Sequence, residues 1–271
     1  MKRTLLLSII YIALTCSASA QTDTTQSHYI TTKLEIPQLQ RQRDIQVYLP
    51  ADYYTSSKKY PVIYMQDAQN IYNKDGKNKR SWCVDSLLKI LPDAQEAIIV
   101  GIDHGGKNRI AEYSPYKTDY GGADGVAYTE FMVNNLKPYI DSHYRTKSQA
   151  KYTAIAGSSM GGLIALYATV KYPKVFGTAG VFSPALWIAP AINQFVKETP
   201  VPGKNRFFLA CGDKEGNETE YVAKMDTLLL AKEGFSRKNV PAPLVLKGEE
   251  HNEHQWMLEF PVFYKWFMDG L

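Results

Sequence analysis

The chain has 271 residues, 45% hydrophobic and 21% charged, with a formal net charge of +4 at pH 7. This is ordinary globular composition, which excludes a disordered or fibrous chain. The charge is too small, and the lysines and arginines too dispersed, to point to nucleic acid as a partner.

Residues 1–20 differ from the rest. Lys2 and Arg3 make a positive start, residues 5–14 form an apolar run too short to span a bilayer, and Ala18-Ser19-Ala20 offers small residues before Gln21. The pattern predicts a secretory signal cleaved after residue 20, a periplasmic or secreted protein, and no integral membrane segment once the signal is gone. Cys16 allows a lipid-anchor reading, but Thr15 before it fits a lipidation site poorly. Residues 21–28 are polar, and their composition predicts a flexible lead-in. No repeat or linker divides residues 29–271, which read as one domain. Two cysteines remain in it, Cys83 and Cys211, and both read as unpaired buried thiols.

In chain order, residues 30–36 and 45–49 read as strands, followed by the short apolar strand 61–66. Residues 82–91 have helical spacing, with Val84, Leu87, Leu88 and Leu91 on one face. Residues 97–102 are continuously apolar, as a strand buried on both faces requires. A helix over 128–144 should bend or divide at Pro138. Strand 152–156 and helix 159–172 come next. Strands 175–182, 206–211 and 244–247 then alternate with helices 219–233 and 253–268. This alternation predicts an α/β fold, a mostly parallel central sheet with helices on both faces. Ligands on such sheets bind beyond the carboxyl ends of the strands. Chemistry is therefore sought just after each strand.

One such position carries Gly157-Ser158-Ser159-Met160-Gly161. It fits G-x-S-x-G between a strand and a helix, the nucleophile elbow, in which a sharp turn lifts the serine above the sheet and glycines make room for the crossing backbone. The spacing selects Ser159 as nucleophile and leaves Ser158 in support. A serine needs a base to take its proton, and in this elbow the order is Ser, then acid, then His. Only His251 and His254 follow Ser159; His28, His104 and His143 precede it. His251 lies in the loop after the last strand and is the preferred base, whereas His254 falls where the terminal helix begins. The acid should follow strand 206–211, which leaves Asp213 and Glu215, with Glu215 preferred for its longer reach. The oxyanion of the intermediate needs two N–H donors. Met160, next after the nucleophile, supplies one. The loop after strand 61–66 supplies the other, with Gln69 first and Ala68 second as candidates. The cluster Glu249-Glu250-His251-Asn252-Glu253-His254 matches no zinc-ligand spacing, so neither a metal nor any other cofactor is expected.

Several stretches together resemble the "putative esterase" family of α/β-hydrolases, which includes siderophore (enterobactin-type) esterases, feruloyl and acetyl xylan esterases, S-formylglutathione hydrolases and mycolyltransferases. They are VYLPADY (47–53), YPVIYMQDAQN (60–70), IVGIDHG (99–105), RIAEYSP (109–115), LKPYIDSHY (136–144), AGSSMGG (156–162), VFSPALW (181–187), CGDKEG (211–216) and EHNEHQW (250–256). The resemblance implies an α/β-hydrolase fold from about residue 33 onward. It aligns the family histidine with His251 and the acid with Glu215. Ala68 stands where the family usually has glycine. The siderophore-esterase branch implies that Trp187 lines an acyl or aromatic pocket, against the alternative of a core tryptophan. Arg109 and Glu112 either contact substrate or pair with one another, and pairing is the preferred expectation. The tyrosine-rich loop 113–120 suits either a flat substrate or packing.

The reading is an exported serine carboxylic-ester hydrolase acting on a small-molecule ester, possible substrates being catecholate siderophore lactones or feruloyl and acetyl sugar esters. An acyltransferase on the same triad and a non-catalytic binding module are the competitors.

Overall fold

The computed structural model describes residues 28–73, 80–90 and 96–271. The expected signal segment and all of the lead-in but His28 lie outside them, as does Leu91. In chain order the elements are β1 (Tyr29–Ile36), β2 (Arg41–Tyr48), β3 (Val62–Gln66), α1 (Val84–Ile90), β4 (Ile98–Ile102), α2 (Arg109–Tyr113), α3 (Gly125–Phe131), α4 (Lys137–His143), β5 (Thr153–Ser158), α5 (Met160–Lys171), β6 (Thr178–Phe182), α6 (Ala191–Glu198), β7 (Arg206–Gly212), α7 (Glu218–Leu230), β8 (Leu244–Leu246) and α8 (Glu253–Asp269).

The strands form one sheet in the order β1-β2-β4-β3-β5-β6-β7-β8. Pairs from β4 through β8 are parallel, whereas β1 pairs with β2, and β2 with β4, antiparallel. A short turn joins β1 to β2, and only antiparallel strands accept so short a connection. The parallel strands alternate their apolar side chains between two cores. Val62 and Tyr64 of β3, Val100 of β4, Ile155 of β5 and Leu209 of β7 enter one core. Ile63, Met65, Ile99, Ala156 and Phe208 enter the other, under α1 and α8. Both faces are covered, so the strands read as continuous apolar runs in the sequence. Helix α5 is buried from Met160 to Val170. It is apolar all round because it has no solvent face.

The expected helix over 128–144 is two helices joined by a widened turn. Helix α3 begins at Gly125, Met132–Leu136 winds with i→i+5 bonds, and α4 follows with Pro138 in its first turn. Proline has no N–H and its ring crowds the preceding turn; the wider winding makes room for it. Cys83 and Cys211 are both free, the first half-buried before α1 and the second buried in β7. Among the described residues no helix is long and apolar enough to cross a membrane.

Candidate active site

Ser159 stands between the end of β5 and the start of α5 with φ 55° and ψ −124°. A side chain at positive φ stores roughly 1–3 kcal/mol of strain, which the surrounding structure must hold. Two backbone bonds clamp it: Ser159 N–H donates to Phe182 O at 3.0 Å, and Ser159 O accepts from Ala185 N–H at 3.1 Å. The flanking glycines leave room for close neighbours, the elbow's own backbone at Gly157 and strand β3 at Gly161. A Cβ at Gly157 would lie 2.7 Å from the carbonyl carbon and oxygen of Gly161, and a Cβ at Gly161 would lie 3.0 Å from Gln66 Cβ. Ser158 is buried at the strand end, as a supporting residue would be. Met160 opens α5, where the first N–H groups have no intrahelical acceptor and the helix dipole favours negative charge.

His251 and Glu215 meet directly, with His251 Nδ1 2.5 Å from Glu215 Oε2. The Glu215 side chain is 2% exposed and the His251 side chain 43%. The other carboxylate oxygen, Oε1, accepts from Gly212 N–H at 2.6 Å, Ser183 Oγ at 2.8 Å and Gln255 Nε2 at 2.7 Å. Burial pushes the Glu215 pKa up. Hydrogen bonds, with that from His251 the largest, outweigh burial and hold it below the ordinary carboxylate range. The alternatives are engaged elsewhere. Asp213 Oδ1 accepts from Gly248 N–H at 2.6 Å and fastens two loops together. His254 pairs with Glu249 at 3.1 Å on the exposed start of α8. Asn252 caps that helix, its side chain accepting from His254 N–H and Gln255 N–H, so the chain turns into α8 just after His251.

No hydrogen bond joins Ser159 Oγ to His251 in this structure. Strands spaced about 4.8 Å apart put β8 about 14 Å from β5. Contacts along the sheet edge span that gap: Ser159 N–H to Phe182 O, then Ser183 to Glu215, then Glu215 to His251.

Sequence reasoning missed three supports. Ser183 is fully buried at φ 40°, donates to Glu215, and accepts from Gln255 Nε2 at 2.9 Å and Trp256 Nε1 at 3.0 Å. The Trp256 ring in turn stands edge-on to the His251 imidazole, centroids 5.2 Å apart. The available signals were the position of Ser183 directly after a strand and the tryptophan of EHNEHQW.

On the other side of the serine, Asp67-Ala68-Gln69-Asn70 forms a tight turn after β3, with Asp67 at φ 60°. The Gln69 side chain is tied to the His104 backbone, its Nε2 3.3 Å from His104 O and its Oε1 3.0 Å from His104 N–H. Ala68 packs against Gly101 of β4, where any Cβ would come within 2.8 Å of the Ala68 methyl. The loop thus accommodates alanine where the family usually has glycine. The expected Arg109–Glu112 pair does not form. Arg109 grips Asp67 bidentately, at 2.6 and 2.9 Å, and Glu112 is buried between Arg41 and Arg43 at 2.9 and 2.7 Å. On α2 these residues are three apart, but Arg109 faces the turn after β3 and Glu112 faces strand β2. Arg109 is therefore an anchor of the Gln69 turn, a role that no local pattern reveals.

Trp187 is 48% exposed, which rules out the core reading, and it meets exposed Tyr120 edge-to-face at 5.8 Å. The tyrosine-rich loop divides accordingly: Tyr113 is fully buried and Tyr120 is on the surface.

A mostly parallel sheet with a strained serine elbow, an acid after β7 and a histidine after β8 is the architecture of the α/β-hydrolases. The chain belongs to the esterase family described as "Putative esterase", whose model matches residues 36–220, and it is an esterase. It is 28% identical over 190 residues to the uncharacterized protein YbbA of Bacillus subtilis, covering 67% of this chain and 72% of that one. It is 28% identical over 183 residues to an endo-1,4-beta-xylanase/feruloyl esterase of Xylanibacter ruminicola, covering 64% of this chain and 23% of that longer protein. The fold superposes on the enterobactin esterase FES of Shigella flexneri with a TM-score of 0.71 at 17% identity, covering 90% of this chain and 59% of that one.

Proposed function

We propose that the protein is an exported serine esterase with Ser159 as nucleophile, His251 as base and Glu215 as the acid that orients it. The observation that carries this reading is the 2.5 Å bond from His251 Nδ1 to Glu215 Oε2, on the same sheet edge as a serine held at positive φ. With Nδ1–H committed to Glu215, Nε2 is left as the acceptor for the serine proton. Ser159 Oγ attacks the acyl carbon while His251 takes its proton. The negative oxygen that results is held by the N–H groups of Met160 and Gln69. His251 then returns the proton to the departing alcohol, leaving an acyl-serine. Water, deprotonated by the same imidazole, releases the acid and restores the serine.

The exposed Tyr120–Trp187 pair supports a flat aromatic acyl group, as in a catecholate siderophore ester. A second reading has its own support. A cavity of about 450 Å³ beside Gln69 is lined by polar groups, among them Arg41, Gln42, Asp103, His104 and Asn108. Such a lining suits a hydroxyl-rich alcohol half, as in a feruloyl or acetyl sugar ester.

A fluorophosphonate probe tests the nucleophile: the wild type takes the label at Ser159, and Ser159→Ala neither takes it nor hydrolyses esters, a loss of about 10⁶ in rate. An unlabelled wild type favours a binding module. A panel of catecholate trilactone, feruloyl sugar and nitrophenyl esters then ranks the substrates. Acyl transfer to an added alcohol in preference to water identifies a transferase.

A further inference from the structure

Gln255 and Glu259 lie four apart on α8, on one face of the helix, and both are fully buried. Gln255 Nε2 is 2.7 Å from Glu215 Oε1, 2.9 Å from Ser183 Oγ and 3.0 Å from Glu259 Oε1. Three acceptors thus converge on a group with two hydrogens. We propose that Gln255 and Glu259 extend the Glu215–His251 pair inward, with Glu259 as a positioning residue that fixes the Gln255 carboxamide on Glu215. The proposal rests on the serine-esterase reading and assigns part of its orienting machinery.

Counting donors decides which acid is ionised. Glu215 receives four, from His251, Gly212, Ser183 and Gln255. Among the described residues Glu259 receives one, from Gln255, and its Oε2 is buried without a partner. Two buried carboxylates bound to one amide cannot both carry charge cheaply, so the proton resides on the one with fewer donors. Burial pushes the Glu259 acid up to about 9; the bond from Gln255 opposes this, and the charges of Glu215 and Glu249 add to it. Among the described residues, the charges acting on Glu259 are those of Glu215 and Glu249, and the one ionisable base of the network, His251, lies on the far side of Glu215. Cys211 in β7 and Glu218 at the start of α7 join Glu215 and Glu249 on this side. On α1, Asp85 turns to Tyr29 and Asn73, and Lys89 is exposed.

As the neutral acid, Glu259 accepts one Gln255 hydrogen and leaves the other to be shared by Glu215 and Ser183 Oγ. Once ionised, it competes for both and sets a second charge behind the acid that orients His251. Turnover then falls on the alkaline side while substrate binding is unaffected. Glu259→Gln reproduces the neutral acid. Glu259→Leu keeps the bulk but removes the acceptor.

The test measures kcat and KM on a nitrophenyl ester from about pH 6 to about pH 10, with fluorophosphonate labelling of Ser159 alongside. In Glu259→Leu kcat falls about ten- to a hundred-fold at neutral pH with KM unchanged. Glu259→Gln keeps wild-type turnover and loses the alkaline decline. Wild-type kcat in the leucine variant overturns the proposal, as does equal impairment in the glutamine variant. So does a wild type with no alkaline decline, which needs no variant to fold. A wild type that takes no label overturns the serine-esterase reading and this proposal with it. A labelled wild type matched in rate by Glu259→Leu overturns this proposal alone.

Discussion

Arg109→Ala should separate the turn that carries Gln69 from the rest of the site. Arg109 reaches from α2 to hold both oxygens of Asp67, the residue that enters the turn in a left-handed conformation. The Asp67 side chain is 10% exposed and that of Arg109 27%. Breaking a buried pair by removing one partner costs about 3–5 kcal/mol, whereas an exposed pair contributes about 0–1. This pair lies between those limits, so Arg109→Ala should cost about 2–3 kcal/mol in urea unfolding. The unpaired carboxylate would also stand beside Gly161, whose Cβ position lies 3.1 Å from Asp67 Oδ2. Losing one oxyanion donor lowers kcat by about 10²–10³, and the freed turn should lose about that much. Adding Asp67→Asn removes the stranded charge, and asparagine tolerates the left-handed backbone. The double variant should therefore unfold at higher urea than Arg109→Ala alone. Wild-type stability and turnover in Arg109→Ala would refute this account of the loop.

His251→Ala should abolish hydrolysis almost as fully as loss of Ser159, because a triad acts as a unit, while His254→Ala keeps most activity; the reverse result would move the base onto α8. Glu218 is buried with Oε1 unpartnered, and burial, then the nearby Glu215 charge, push its pKa up to about 8. A raised pKa means the folded state favours the protonated acid. Its contribution to stability is full below the unfolded value of about 4.3 and is lost as pH rises through about 8. Urea unfolding across that window should therefore show a smaller decline for Glu218→Gln than for the wild type; parallel declines would count against it. Mass spectrometry of the exported protein should find a chain beginning at Gln21, and a retained Met1 or a lipidated Cys16 would contradict the signal reading.

Much of the architecture was legible because burial on both faces writes itself into the chain as apolar runs. The inner strands β3 to β7 lie where such runs predict them, and the outer strands β1, β2 and β8, partly exposed, also lie near the expected spans, with ends shifted by a few residues as at β2 and β6. Helix α6 was missed although Ile192, Phe195 and Val196 carry its spacing. Helix α2 has five residues, too few for any period to show. The candidate site was legible where chemistry demands a fixed local spacing. Gly157, Ser159 and Gly161 announce the elbow because a side chain at Gly157 would meet the Gly161 backbone and one at Gly161 would crowd Gln66 and Asp67.

The sequence by itself determined the alternation of strands and helices, the serine, and the short set of acids and histidines able to serve it. Those are properties of neighbours in the chain, where spacing and side-chain type suffice. The sequence preferred Glu215 over Asp213 and His251 over His254; that the preferred pair meets, and which cation anchors the Gln69 turn, the tertiary structure decided. Asp213 and Glu215 are two residues apart, yet one fastens a loop and the other binds His251. Arg109 passes over Glu112, three residues away, for Asp67, forty-two positions distant. The physical reason is that a charge in a largely buried site is stabilised by whatever donors the packed loops bring to it. Their directions are set by the sheet order β3-β5-β6-β7-β8, a long-range arrangement that no local pattern encodes.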